Sequence, residues 1–327
     1  PRILRGPMAN SEAVSVIGGG VWGLALAAAA ARSGSDTRIV SRRDFDRELP
    51  KGVRHLRDFD SVRDTRLVLL ATPSAVVEEV ARTLGDHLSS RHYVVHGIRG
   101  LVATPGTDAL ATVSEIVARE TPVRRMGALG GPVLAQDLLQ EKPTVLVGGS
   151  PFREVTDALR ETFASAALRV YPTKDLRGLE WASALVGCYA IAVGFAEGLG
   201  LGAGLVAAIV CRSMHEASRI AAAAGGDAAT LLGLSGYGDL LASASQAERP
   251  EIQFGRALAE GRSPMDALQD ARLRVEAVEL VPRILRFAEA QGVKPRILGM
   301  VAHGATVGGS KEQMLTELMT LPVEFSA

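Results

Sequence analysis

Neither sign of charge prevails in this chain, where 36 lysines and arginines meet 36 aspartates and glutamates. The balance removes any general electrostatic case for nucleic acid or for an anionic membrane surface, and makes a small-molecule substrate the expected partner. Cysteine is scarce as well: Cys188 and Cys211 form neither a metal-ligand spacing nor a disulfide framework. Low cysteine use suits a reducing compartment, so the cytoplasm is the expected location. His215-Glu216 begins a zinc-protease pattern but lacks its second histidine, and no metal is expected. No apolar run reaches about 18 residues, since Leu24–Ala31 stops at Arg32, so no membrane span is expected. Internal repeats and low-complexity tails are missing too. Pro1–Pro7 ahead of Met8 reads as a cloning remnant, which makes 1–8 remnant and start.

What is present is a long, apolar chain of 327 residues, 47% of them hydrophobic, enough for one or two full cores. Short apolar runs at Val14–Ile17, Arg38–Val40, Leu67–Leu70, Tyr93–Val95, Val123–Leu129 and Thr144–Val147 alternate with helical stretches. That alternation predicts an α/β fold, a doubly wound parallel sheet whose strands are buried on both faces. After Tyr171-Pro172 the pattern changes: Leu176–Leu199 and Val206–Ala224 read as helices and no further strand is expected. Residues 9–174 are therefore expected to form a strand-bearing domain and 175–327 an all-helical one. Glycine clusters at Gly194–Gly204 and Leu232–Gly238 predict close backbone approach, or a bend lining a cavity.

The first chemical motif follows the first strand. Val14–Ile17 runs into Gly18-Gly19-Gly20-Val21-Trp22-Gly23, and a helix opens at Leu24. Strand, GxGxxG and helix in that order form the dinucleotide fingerprint of a Rossmann domain. Gly18 permits the tight turn, Gly20 lets a pyrophosphate approach the backbone, and Gly23 lets the helix pack close on the strand; the phosphates then meet the helix N-terminus. At the end of the second strand, where an NAD site carries Asp or Glu for the ribose, the sequence is Ser41-Arg42-Arg43-Asp44. Arg42 and Arg43 favour a 2′-phosphate and so NADP over NAD, with Asp44 as ribose ligand in the alternative.

Further segments carry a resemblance over almost the whole chain. They are Val16–Ala27, Ala71-Thr72-Pro73-Ser74, Ile98-Arg99-Gly100-Leu101, Gly130-Gly131-Pro132-Val133-Leu134-Ala135 and Val170-Tyr171. Gly178-Leu179-Glu180 through Ala190-Ile191 to Glu197–Gly202, then Gly236-Tyr237-Gly238-Asp239-Leu240, complete the series. In these segments the chain resembles a divergent member of the bacterial-type NAD(P)-dependent glycerol-3-phosphate dehydrogenases. The resemblance implies a Rossmann domain followed by a helical substrate and dimerisation domain, a homodimer, and hydride transfer between nicotinamide and dihydroxyacetone phosphate.

Carried over residue by residue, the resemblance implies a cofactor set. Arg42 meets the adenosine end, Val21 and Trp22 the pyrophosphate and ribose, Ala135 the nicotinamide, and Glu276 a loop closing over the cofactor. Pro73, Arg43 and Arg99 join this set; Arg99 is also read as keeping the charge of a family lysine that meets the substrate. Asp239, Ser243, Gly131 and Arg99 remain as the substrate-binding set, Ser243 standing where the family has threonine. At the family's catalytic lysine the ungapped register puts Val186, with Gly187 replacing the adjacent asparagine. A valine neither donates a proton nor neutralises an oxyanion, and losing such a donor costs about 10²- to 10⁴-fold in rate. The phosphate-holding arginine and asparagine correspond to Pro250 and Glu251, so a carboxylate is expected to face the anion unless Arg249 takes over. Val133 and Cys211 each replace a hydroxyl residue and make the pocket more apolar.

The catalytic residue is thus unknown from sequence. His96 ends the fourth of the expected strands, on the side where such sheets place ligands; Tyr189 and Tyr237 are further candidates, while Lys142 and Lys174 read as surface lysines. Three functions stay open: a working dehydrogenase, a dehydrogenase for a less anionic carbonyl substrate, or a catalytically inactive dinucleotide-binding sensor or scaffold.

Overall fold

A computed structural model of the chain describes residues 13–45, 48–104, 106–246, 248–270, 275–307, 315–316 and 319–320. The reading of 1–8 as remnant and start lies outside the described residues. By contacts the chain divides into Pro1–Gly100 with Ala111–Glu180, and Leu101–Leu110 with Trp181–Ala327. The sequence reading divided it at 174/175 and did not set 101–110 apart.

The first unit holds β1 (Val14–Ile17), α1 (Val21–Arg32), β2 (Thr37–Val40), β3 (Val53–Leu56), β4 (Leu67–Leu70), α2 (Val77–Gly85) and β5 (Tyr93–His96). Between β5 and the rest come β6 (Leu101–Ala103) and β7 (Leu110–Thr112), a separate two-stranded ribbon. Then follow α3 (Val113–Glu120), β8 (Arg125–Gly130), α4 (Ala135–Leu139), β9 (Thr144–Gly149), α5 (Arg153–Phe163) and β10 (Leu168–Thr173). The main sheet has eight strands in the order β10-β9-β8-β5-β4-β1-β2-β3. All neighbours are parallel except β8 and β9. This is the doubly wound Rossmann sheet that the apolar runs predict. β1 and β4 are buried at every position, as strands covered on both faces should be. α1 buries Gly23 to Ala30 without a break, so its small side chains let it lie close on the sheet. Successive strands leave β1 one way through β2 and the other way through β4, and ligands of open α/β sheets bind at the carboxyl ends of such a switch point.

In the second unit α6 (Leu176–Gly198), whose first residues belong to the other unit, leads into α7 (Ala203–Ala223), α8 (Ala228–Leu232), α9 (Asp239–Ala244), α10 (Pro250–Ala259), α11 (Pro264–Asp270), α12 (Glu276–Ala290) and α13 (Arg296–Thr306). β6 packs on α12, and Arg283 Nε donates to Thr107 O at 3.2 Å. α6 corrects the reading that no segment has the makings of a membrane span: it is long and apolar enough, with mean hydropathy 1.5. Its apolar window is 89% buried inside the protein, where an interior helix obeys the same composition rule as a membrane helix. Glycines let α10 approach it to backbone contact: a Cβ on Gly194 would lie 2.2 Å from Ile252 O, and one on Gly255 2.1 Å from Ile191 O. Leu234–Gly238 forms one turn of π-helix, a local widening that recurs at functional sites.

Candidate active site

The glycine turn builds a cradle from backbone alone. Gly18 holds φ +118°, and a Cβ there would lie 2.4 Å from Ala71 O, so only glycine fits the turn between β1 and the end of β4. A Cβ on Gly23 would lie 2.0 Å from Gly18 O, which fixes how closely α1 approaches the turn. Gly20 faces the opposite situation: nothing lies within 4 Å of where its Cβ would be. It is the N-cap of α1, with no side-chain cap and no acid in the first turn, so the leading N–H groups stay available to an anion.

Two buried side-chain donors beside this cradle make no hydrogen bond: Thr72 Oγ1, in the turn after β4 that contains Pro73, and Trp22 Nε1, in the first turn of α1. Orphaned buried polar atoms cost about 1–3 kcal/mol each and call for a ligand. With the open face at Gly20, they fit a dinucleotide laid across the ends of β1 and β4. Val21 is exposed beside them. Arg42 and Arg43 are exposed in the turn after β2, where Ser41 Oγ accepts from Arg43 N at 3.3 Å. Asp44 is ion-paired to Arg57, whereas Arg42 and Arg43 form no ion pair among the described residues. At the other side of the sheet Gly131 holds φ +90° with Val147 Cγ2 2.9 Å from a would-be Cβ. Ala135 opens α4, and Arg99 is half-buried after β5.

His96 ends β5, two strands from β1 in one row: Ile17 pairs with Leu70, and Leu70 with His96. It is buried, and its Nε2 lies 3.0 Å from Glu180 Oε1. Glu180 is equally buried and also accepts from Ser114 N and Ser114 Oγ, each at 2.8 Å. A carboxylate only accepts, so Nε2 carries the proton. Nδ1 is buried without a hydrogen-bond partner. Gly97 adjoins α1: a Cβ there would lie 2.4 Å from Trp22 Nε1. Sequence reasoning found His96 but neither Glu180 nor Ser114 as functional groups. The available signal was Glu180 itself, the one charged residue between Leu179 and Val193.

The helical unit carries the other expected residues. Val186 is fully buried in an apolar cluster with Leu185, Tyr189 and Phe254. Tyr189 is buried too; its hydroxyl donates to Glu216 Oε2 at 3.2 Å, and burial, then the nearby Glu216 charge, push its pKa well above the ordinary tyrosine value. Tyr237 OH lies 3.0 Å from Cys211 Sγ, and that bond, with burial, raises its pKa. Glu276 is the first residue of α12, half-buried. Ser243 spends its proton on Asp239 O, one helical turn back, at 2.6 Å.

Of the two outcomes the sequence leaves open for Glu251, the structure has Arg249 beside it. Arg249 Nε donates to Glu251 Oε2 at 3.0 Å, and Arg249 Nη1 lies 3.7 Å from Asp239 Oδ1. Arg249 and Glu251 side chains are only 6% and 4% exposed. Pro250 explains the local geometry. It opens α10 at the position where proline fits best, with Arg249 as the N-cap in extended backbone and Glu251 in the first turn, where the helix dipole favours an acid. One guanidinium thus sits between two carboxylates. No group of three or more metal-ligating side chains occurs among the described residues.

Residues 45–156 match the N-terminal model of NAD-dependent glycerol-3-phosphate dehydrogenase, and residues 175–315 match the C-terminal one. A glycerol-3-phosphate dehydrogenase (NAD(P)+) of Afipia carboxidovorans is 31% identical over 311 residues, covering 90% of this chain and 93% of that protein. Its counterpart in Teredinibacter turnerae is 30% identical over 332 residues, 96% of each chain. The crystal structure of glycerol-3-phosphate dehydrogenase from Coxiella burnetii superposes with a TM-score of 0.85 at 25% identity, covering 95% of this chain and 99% of that one. Over fold, length and both halves of its sequence, the chain belongs to the NAD-dependent glycerol-3-phosphate dehydrogenase family, whose members are NAD(P)-dependent oxidoreductases.

Proposed function

We propose that this protein binds NADP or NAD at the glycine turn and transfers hydride between the nicotinamide and a small carbonyl or hydroxy compound less anionic than the phosphorylated substrate in its relatives' names. The nicotinamide supplies the hydride when bound; the chain's own residues bind, orient and move the proton. Arg42 and Arg43 support NADP, since neither is neutralised by an ion pair among the described residues while Asp44 is already held by Arg57. One observation carries the substrate reading: Arg249, the cation nearest the lost phosphate clamp in sequence, is held by Asp239 and Glu251. Like charges about 4 Å apart at an effective dielectric near 20 repel by about 4 kcal/mol, so each carboxylate that a phosphate dianion approaches here disfavours it. A neutral hydroxyketone faces no such penalty.

The test follows NADPH oxidation by ultraviolet absorbance with dihydroxyacetone and with dihydroxyacetone phosphate. We expect the larger kcat/KM with the unphosphorylated ketone; a larger value with the phosphate overturns the reading. A second reading, an inactive dinucleotide-binding sensor or scaffold, draws support from Val186 at the lysine position and from the engagement of both tyrosine hydroxyls elsewhere. Tight NADPH binding without turnover of any carbonyl would establish it. A cytoplasmic homodimer goes with either reading: Leu232, Leu234 and Leu241 expose apolar surface on the helical unit that a second copy could cover, which sedimentation tests.

A further inference from the structure

We propose that His96 is the proton donor and acceptor of this site and that Glu180 and Ser114 hold it for that work; the inference rests on the hydride-transfer reading above. The mechanism needs an acid where Val186 offers none, and within the strand-bearing unit one titratable side chain stands in the right row. His96 shares the carboxyl-end level of Ile17 and Leu70, the residues from which the nucleotide cradle departs. Two strand spacings of about 4.8 Å separate it from β1. The next residue, Gly97, lies directly against Trp22 of the cradle helix.

The imidazole is arranged for transfer at one nitrogen. Glu180, buried and accepting two hydrogen bonds from Ser114, takes the Nε2 proton at 3.0 Å, which fixes both ring orientation and tautomer. Nδ1 is left buried with no hydrogen-bond partner, as is Nε2 of His92, and unlike His92 it stands at the carboxyl end of its strand, in the row of Ile17 and Leu70. When Nδ1 is also protonated, the imidazolium charge is met by Glu180. With a reduced nicotinamide bound, that group would supply hydride and its electron pair to a carbonyl carbon in the reductive direction. The C=O π electrons move onto oxygen, and that oxygen takes the proton from Nδ1. His96 is left neutral and Glu180 unchanged, and a water admitted as the product leaves returns the proton to Nδ1; alcohol oxidation runs the same steps backwards. His96 is then a catalytic residue, and Glu180 and Ser114 are positioning residues.

The test uses the full chain, with His96→Gln and Glu180→Gln compared with wild type. His96→Gln should lower kcat for dihydroxyacetone about 10²- to 10⁴-fold while its affinity for NADPH, read by fluorescence, stays within about twofold. Glu180→Gln should lower kcat less. Nitrogen NMR of histidine-labelled protein should show the Nε2–H tautomer for neutral His96, a mixed tautomer in Glu180→Gln, and a shift of Nδ1 when dihydroxyacetone is added to the NADPH-loaded protein. Folding of each variant is checked by circular dichroism, and the NMR arm needs no variant that could fail to fold. If the wild type reduces a carbonyl and His96→Gln keeps its kcat, the inference fails while the proposed function stands. If the wild type reduces none, the proposed function fails and the Nδ1 response decides: a shift keeps His96 as the carbonyl-facing group, and no shift, or an Nδ1–H tautomer, overturns it.

Discussion

Ligand chemistry is carried by different parts of the chain in the two units. In the strand-bearing unit it rests on backbone: three glycines whose missing side chains set a turn, a helix approach and an open face, with N–H groups waiting behind them. In the helical unit the candidate chemistry rests on side chains, among them Asp239, Arg249 and Glu251. A backbone cradle tolerates little substitution at Gly18 and Gly23, where a Cβ would collide with backbone. A side-chain site can exchange every charged group while its helices keep packing. The two kinds of site can therefore change independently of one another.

The sharpest way to break that contrast is at Gly23. Gly23→Ala puts a Cβ 2.0 Å from Gly18 O and should cost about 3 kcal/mol or more in urea denaturation, with loss of most NADPH binding. Gly20→Ala meets nothing within 4 Å, so its stability should match wild type while NADPH affinity falls about 10-fold. Equal losses of stability in the two variants would show that Gly20 serves the fold and not the ligand.

In the helical unit, Arg249→Ala takes the guanidinium away from buried Glu251 and half-buried Asp239 and should destabilise by about 3–5 kcal/mol. Adding Glu251→Gln should recover part of that loss; a single variant as stable as wild type would show the trio to be water-relaxed. A smaller effect is expected at Arg42→Ala: NADPH binding weakens about 10-fold, or about 1.4 kcal/mol, and NADH binding changes little. Parallel losses with both nucleotides would remove the case for a 2′-phosphate contact.

The smallest effect is a pH slope at Glu216. Burial raises its pKa above the ordinary 4.5, although Ile297 N and Leu298 N at the start of α13 donate to it and lower it in part. A raised folded pKa means that the native state binds more protons than the unfolded one. Stability from this group is fully present below the unfolded value and is lost as pH rises through the folded value. Glu216→Gln should therefore gain on wild type as pH rises through that window, as chemical denaturation at several pH values would show.

Legibility followed burial. β1 and β4 could be read because both faces are covered and every residue is apolar or small. β3 and β10 are edge strands with half-exposed, mixed sequences, Val-Arg-His-Leu and Leu-Arg-Val-Tyr-Pro-Thr, and they carry no apolar run to read. The ribbon of β6 and β7 is three residues a side, too short for any period to register. The charged trio hid for a different reason. Arg249 and Glu251 are two residues apart in sequence, but whether they face a ligand or one another depends on the direction in which Pro250 starts α10.

By itself the sequence determined the Rossmann sheet, the glycine cradle and the absence of a lysine at position 186, because each is a local matter of residue type, period or spacing. Only the tertiary structure decided that His96 meets Glu180 across 84 residues and that Arg249 is held by two carboxylates. Such contacts are set by long-range packing, which no local pattern encodes, and in a buried site they decide which charges are left to act on a ligand.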